Sequence, residues 1–270
     1  MKNAACAFFL VLICLAGPRA WGISIRGQVE SMGADEKPEP VSLNLIEMES
    51  SYVLGSDLHR NGSFGDQDAI QSFLSYGHRI HLNGNLYLHL GVDYSRFDFS
   101  KTAAPVPDHL QSVAGVIGVD YMHNNDVGAF IQVKPGFYTE DKFDSASFDA
   151  PITLGRIFVL QTDHLYLFTG VNASFLRGRF PVIPLAGLIW MPNDKWKVLG
   201  ILPEPRVIYS PNDKWDFWAG GGFIYSPCNN VSVDLGGGYS IRREFDFHRA
   251  DIRYKVDGAP YLRVEFKAKF

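Results

Sequence analysis

Cysteine is almost missing from this chain. Only Cys6, Cys14 and Cys228 occur, and the first two fall in a segment expected to be removed. A lone Cys228, set in the turn Ser226-Pro227-Cys228-Asn229-Asn230, excludes an internal disulfide and a cysteine zinc site. Long apolar runs are missing too. Beyond residue 22 nothing approaches the roughly 18 consecutive apolar residues that a membrane-spanning helix needs, which excludes a helical membrane protein. No long window shows a 3.6-residue period. Charge is nearly balanced, with 25 basic and 29 acidic residues, and no basic block occurs, so nucleic-acid binding has no electrostatic support. No phosphate-cradling glycine motif is present, because Gly220-Gly221-Gly222 and Gly236-Gly237-Gly238 lack its context. His59, His81, His89, His123, His164 and His248 show no metal-ligand spacing. No cofactor, metal or catalytic set is expected.

What the chain does have begins with a secretory signal peptide over residues 1–22. Lys2 gives the positive end, Ala4 to Leu15 the apolar stretch and Ala20-Trp21-Gly22 the small-residue cleavage site. A polar leader follows over 23–40, ending in Lys37-Pro38-Glu39-Pro40. From 41 to 270 the apolar residues are dispersed, although they make up 46% of the chain and aromatics 14%. The final strand shows why. Leu262, Val264, Phe266, Ala268 and Phe270 share one face, and Arg263, Glu265, Lys267 and Lys269 share the other. A strand has a side-chain period of two, so one side is apolar and the other charged. A transmembrane β-barrel needs this, with lipid outside and a polar lumen inside.

The same alternation predicts twelve strands: 43–54, 68–82, 86–98, 110–122, 126–138, 152–161, 165–176, 181–191, 196–210, 215–226, 231–246 and 259–270. Short turns at Asn83-Gly84-Asn85, His123-Asn124-Asn125, Thr162-Asp163-His164, Asn193-Asp194 and Ser226 to Asn230 alternate with longer connections near 55–67, 99–109, 139–151 and 247–258. Pro211 to Lys214 is a short connection on the side expected to carry the long ones. Hairpin arithmetic pairs Leu82 with Leu86, Ile80 with Leu88 and Arg79 with His89 at the first turn. It pairs Tyr121 with Val127 and Val119 with Ala129 at the second. Around Cys228 it pairs Phe223 with Val233 and sets Trp218 against Gly238, an aromatic covering a bare strand glycine. Trp196, Trp215, Tyr94, Tyr121, Tyr225 and Phe270 lie on the outward face near strand ends, where Trp and Tyr favour a membrane interface.

The prolines qualify this count. Pro203 and Pro205 interrupt 196–210, and proline is unwelcome in a fully paired strand. Splitting that strand requires a second extra strand, expected near 247–256, for a total of fourteen; ten is the other alternative.

The C-terminal strand resembles the closing signature of bacterial outer-membrane barrels. The resemblance extends over Trp196 to Gly222, with its repeat Pro192-Asn193-Asp194-Lys195-Trp196 and Pro211-Asn212-Asp213-Lys214-Trp215, its Pro203-Glu204-Pro205-Arg206 and its Gly220-Gly221-Gly222. This stretch is similar to an uncharacterised family of porin-like outer-membrane β-barrel proteins. The resemblance implies a closed antiparallel barrel in the outer membrane, with outer-membrane lipid and the barrel-assembly machinery as partners and no transferable catalytic residues.

Function rests on the inward charges. Arg79, His89, Asp93, Asp120, Lys134, Asp234, Arg242, Glu244, Asp246, Arg263, Glu265, Lys267 and Lys269 are expected to line the lumen, where mixed signs pair across the ladder. A hydrated lumen makes a narrow, weakly selective channel; a fully paired one makes a plug. The leading expectation is a porin-like passive channel for ions or small polar solutes. The alternatives are a structural barrel that displays its outer loops and a lipid-modifying barrel enzyme. For the enzyme, Ser72 and His78 share one outward face and His109 stands beside Asp108.

Overall fold

The computed structural model describes residues 43–270 apart from 105, 124–125, 141–142, 144, 163, 176–180, 202–205, 213, 219–220, 241–242 and 248–251. The expected signal peptide and leader lie outside the described residues. So do Arg242, Pro203, Pro205 and the tip residues Asn124, Asn125 and Asp163.

Alternating patterns of this kind build one continuous antiparallel sheet that closes on itself. Its strands are β1 (Asn44–His59), β2 (Ser63–Asn83), β3 (Leu86–Phe99) and β4 (His109–His123). β5 runs as Asp126–Val133 and Gly136–Thr139, broken at Lys134-Pro135; β6 runs as Phe148–Asp149 and Ile152–Gln161, broken at Ala150-Pro151. A proline has no N–H for the ladder, so both interruptions fall where a strand can tolerate them. Next come β7 (Leu165–Ala173), β8 (Val182–Asn193), β9 (Trp196–Ile201), β10 (Arg206–Asn212), β11 (Trp215–Trp218) and β12 (Gly222–Cys228). β13 comprises Val231–Ser240 and Arg243–Phe247, and β14 comprises Ile252–Val256 and Ala259–Lys269. Each strand pairs with the next, and β14 returns to β1 in register from Leu45 opposite Lys269 to Val53 opposite Tyr261. Backbone bonds finish the seam: Asn44 N donates to Phe270 O at 2.7 Å and Phe270 N to Asn44 O at 3.0 Å. Closure removes both sheet edges.

The barrel therefore has fourteen strands rather than twelve. The segment 196–210 is two strands, as its prolines require. The second extra strand is not near 247–256 but comes from 215–226, which turns after Trp218. Gly221 carries the chain through this turn at φ 100°, a conformation that a side chain resists and glycine does not. Residues 252–256 instead extend the last strand. This relocation also places Pro211 to Lys214 on the rim shared with the other short turns, which removes the anomaly of a short outer connection. Trp196 and Trp215, the ends of the two Pro-Asn-Asp-Lys-Trp repeats, enter from the same rim, each beside a cross-strand tyrosine: Trp196 and Tyr209 at 4.8 Å, Trp215 and Tyr225 at 4.6 Å between ring centres.

Two hairpin registers differ from expectation by two residues. Tyr121 faces Ala129 and Val119 faces Ile131, with an irregularity between Tyr121 and Met122. Phe223 faces Leu235 and Tyr225 faces Val233, with an irregularity between Tyr225 and Cys228. In each case the turn pairing and the irregularity beside it together shift the ladder by two, an even number that leaves every side chain on its expected face. The first hairpin matches from His81 opposite Tyr87 to Ser75 opposite Asp93, but Asn83, not Leu82, faces Leu86. The connection expected over 55–67 is mostly ladder, with β1 and β2 paired out to His59 and Ser63.

Solvation is inverted relative to a water-soluble fold. On β14, Leu262 is 64% and Val264 49% exposed, whereas Arg263 is 2% and Glu265 3% exposed. The apolar side chains Met48, Tyr52, Ile70, Leu74, Ile80, Val92, Ile117 and Ile131 are likewise exposed, while Glu47, Asp93, Asp120, Gln132 and Asp234 are buried. Phe266, Ala268 and Phe270 lie on the exposed face with Leu262 and Val264.

Candidate functional site: the barrel interior

The inner face carries two ionic clusters, an apolar sector and a set of buried polar pairs on and beside β6 and β7, where Asn172 Nδ2 donates to Thr153 Oγ1 and Ser174 Oγ to Asp149 Oδ2. The first cluster is built on β2 to β5. Cross-strand register sets Arg79 opposite His89 and Ser75 opposite Asp93. Arg79 Nε donates to Asp120 Oδ2 at 2.8 Å, and His89 Nδ1 lies 3.8 Å from the same oxygen. Lys134 Nζ, carried at the proline break of β5, donates to Asp93 Oδ2. Gly77 makes room for His89, because a Cβ there would fall 2.5 Å from its Nε2.

The second cluster spans β10 to β14. Arg206 Nη1 donates to Asp234 Oδ2 at 3.1 Å, and Arg263 Nη2 donates to the same oxygen. Trp218 Nε1 donates to Asp234 Oδ1 at 3.0 Å. Arg206 Cζ lies 4.3 Å and Arg263 Cζ 5.7 Å from the centre of the Trp218 ring, so each cation also meets an aromatic face. The indole covers Gly222 and Gly236, where a Cβ would fall 2.1 and 2.0 Å from its ring atoms. An aromatic over strand glycines is thus present, with different glycines from those expected. The chain of charge continues: Arg263 Nη2 lies 3.5 Å from Glu265 Oε2, Lys267 Nζ lies 2.8 Å from Glu265 Oε1 and 3.8 Å from Glu47 Oε1. Buried charges of opposite sign that share hydrogen bonds offset much of their desolvation cost.

Between the clusters part of the inner face is apolar. Met122, Phe130, Phe168, Ile189, Leu199, Ile208 and Trp218 form one buried group, with Tyr87, Ile157, Tyr166, Leu185 and Ile224 packed on it. Phe130 and Phe168 stack at 6.4 Å across Gly155, where a Cβ would meet both rings at 2.7 Å. Sequence reasoning missed this sector. Its signal was present in β8, where Leu185, Gly187 and Ile189 alternate with Ala186, Leu188 and Trp190, so neither face is polar.

The expected lining residues Arg79, His89, Asp93, Asp120, Lys134, Asp234, Arg263, Glu265 and Lys267 all take part in these two clusters. Glu244 lies on β13 opposite Lys255; its side chain lies outside the described residues. The enzyme candidates are not brought together. Ser72 and His78 are six residues apart on one strand, about 20 Å. His78 Nδ1 lies 2.8 Å from Asn44 Oδ1 at the seam, and Tyr76 donates to the same oxygen at 3.0 Å. His109 opens β4 opposite Asp98.

Solved structures share this architecture. An outer-membrane channel from Pseudomonas putida F1 aligns with a TM-score of 0.51 over 86% of this chain and 97% of its own, at 10% identity. The fold is that of outer-membrane channel barrels. The Pseudomonas putida toluene transporter TodX aligns at 0.51 over 91% of this chain and 94% of its own, at 11% identity. A deltaS2S3 mutant of TodX, described as a monoaromatic hydrocarbon channel, aligns at 0.50 over 90% of this chain and 94% of its own, at 12% identity. No protein-family model and no curated protein sequence matches this chain.

Proposed function

We propose that this chain is a passive channel of the bacterial outer membrane for ions or small polar solutes. One observation carries the proposal: behind an exposed apolar outer face, a closed fourteen-stranded barrel pairs its inward charges along the wall, within β2 to β5 and within β10 to β1, which leaves the lumen between the two groups to water. Small barrels of about eight strands are filled by side chains and those of 16–18 strands leave an aqueous channel; fourteen lies towards the wider end. The balance of signs fits weak ion selectivity. In this reading Leu262, Val264, Phe266, Ala268 and Phe270 are the strand face presented to outer-membrane lipid and to the barrel-assembly machinery.

Refolded protein in a planar bilayer is expected to give discrete, low-conductance steps with little preference between cation and anion. Folded barrel without current steps would defeat the channel and leave the structural, loop-displaying barrel. A second reading follows from the apolar sector. Phe130, Phe168 and Trp218 make the sector aromatic, and TodX is described as a channel for monoaromatic hydrocarbons. That reading takes small aromatic solutes as the cargo. Saturable binding of toluene, weakened in Phe168→Ala, supports it; a linear partition signal identical in both proteins contradicts it.

A further inference from the structure

Far from both interior clusters, at the rim opposite the short turns, the closing seam brings together side chains that are distant in sequence. Asp57 and His59 project from the same face of β1, and Asp257 lies at the break in β14. His59 Nδ1 stands 3.6 Å from Asp57 Oδ2 and 4.0 Å from Asp257 Oδ2, and one ligand atom from each residue falls within 4.8 Å of the others. We propose that Asp57, His59 and Asp257 bind one divalent transition-metal cation of the zinc type, which pins β1 to β14 at the mouth of the barrel.

The distances carry the argument first. Separations of 3.6 and 4.0 Å are too long for hydrogen bonds. They approach the edges of a coordination polyhedron, since metal–ligand bonds of about 2.0–2.2 Å at tetrahedral angles set ligand atoms roughly 3.3–3.6 Å apart. The backbone already fixes the geometry. Asp257 N donates to Asp57 O at 3.1 Å across the seam, and Leu58 and His59 face Val256 and Lys255. Beneath, Leu58, Tyr254 and Val256 form a buried apolar base with Ala104. Ser63 Oγ donates to Asp57 Oδ1, which orients the carboxylate and directs Oδ2 at the imidazole, the supporting contact a ligating carboxylate typically has.

Charge supplies a second reason. Asp57 faces Asp66 across the β1–β2 ladder. Carboxylates directly opposite each other repel, and a cation bound at Asp57 offsets that repulsion. Lys255 also faces His59, but it is exposed at the rim, where its amine can point into water. An imidazole with two carboxylates suits zinc and its neighbours better than calcium or magnesium, which prefer oxygen alone. Three protein ligands leave a position for water. The site is outside the apolar band, above Leu54 and Ile70, so the ion exchanges with solvent rather than with the membrane core.

The test uses full-length protein refolded in detergent, stripped with EDTA and titrated with Zn2+ alone by equilibrium dialysis. The heat-modifiability gel serves as the fold check. Wild type is expected to bind one equivalent, with His59→Ala and Asp257→Asn each weakening the affinity at least about tenfold. Substitution with Co2+ is expected to give visible absorption bands of low coordination number, lost in both variants. If His59→Ala fails to fold, Asp257→Asn decides alone. No zinc binding by wild type, or equal binding by wild type and a folded variant, overturns the site. Displacement of Zn2+ by an equal concentration of Ca2+ overturns the role given to the imidazole. None of these outcomes depends on whether the barrel conducts.

Discussion

Replacing Asp234 with alanine is expected to lower the unfolding free energy of the barrel by about 3–5 kcal/mol. Its two oxygens receive hydrogen bonds from Arg206, Arg263 and Trp218. Both arginine side chains are buried, so removing the carboxylate leaves two guanidinium groups facing each other in a poorly hydrated part of the wall. Like charges close together in low dielectric repel strongly. The loss should appear as a lower midpoint in denaturant titrations of refolded protein, followed on the heat-modifiability gel. Asp234→Asn, which keeps an acceptor for the indole but not the charge, should fall between alanine and wild type. A stability equal to wild type in the alanine variant would mean that the cluster is hydrated and contributes little.

Val264→Arg is the second large effect. Val264 lies on the exposed face of β14, six residues from Phe270. With strands tilted by about 40°, that places it about 15 Å above the rim, near the middle of an apolar band about 25 Å tall. Arginine there should cost about 2–4 kcal/mol. Ser232→Glu is the matched control on the inner face, opposite Lys267. A new carboxylate beside that amine should shift stability by less than about 1 kcal/mol. Equal penalties at the two sites would be incompatible with lipid on one face and a polar interior on the other.

These expectations trace to different levels of the sequence. Facing was legible from β1 to β5 and on β13 and β14, because burial on one side forces apolar and polar residues to alternate. Register was less legible. Parity cannot tell a pairing from one shifted by two, and the turn pairings together with the irregularities after Tyr121 and Tyr225 made that shift. Strand count failed at one place for a related reason. Trp215 to Ser226 alternates across the turn at Gly221 as smoothly as a single strand would, and the glycines on either side give no polar marker. The prolines at 203 and 205, by contrast, announced their break.

The interior was half legible. The charged partners were readable, since Asp93, Asp120 and Asp234 stand at inward parity on strands rich in glycine and small residues. That Arg206 reaches Asp234 from three strands away was not. It depends on Trp218 filling the space over Gly222 and Gly236, a three-dimensional packing that no cross-strand pairing predicts. The apolar sector was hidden by the expectation that every inner face is polar. The rim cluster of Asp57, His59 and Asp257 exists only because the barrel closes.

The outward direction of the apolar stripe is tested most directly by single cysteines at 72, 73, 74 and 75 of β2, in a Cys228→Ser background. Each is labelled with a fluorophore and reconstituted with brominated lipids. Strong quenching at Ser72 and Leu74 with weak quenching at Phe73 and Ser75 is the predicted result. Quenching that is uniform along the four residues, or strongest at Phe73 and Ser75, would contradict a barrel that faces lipid with its apolar side.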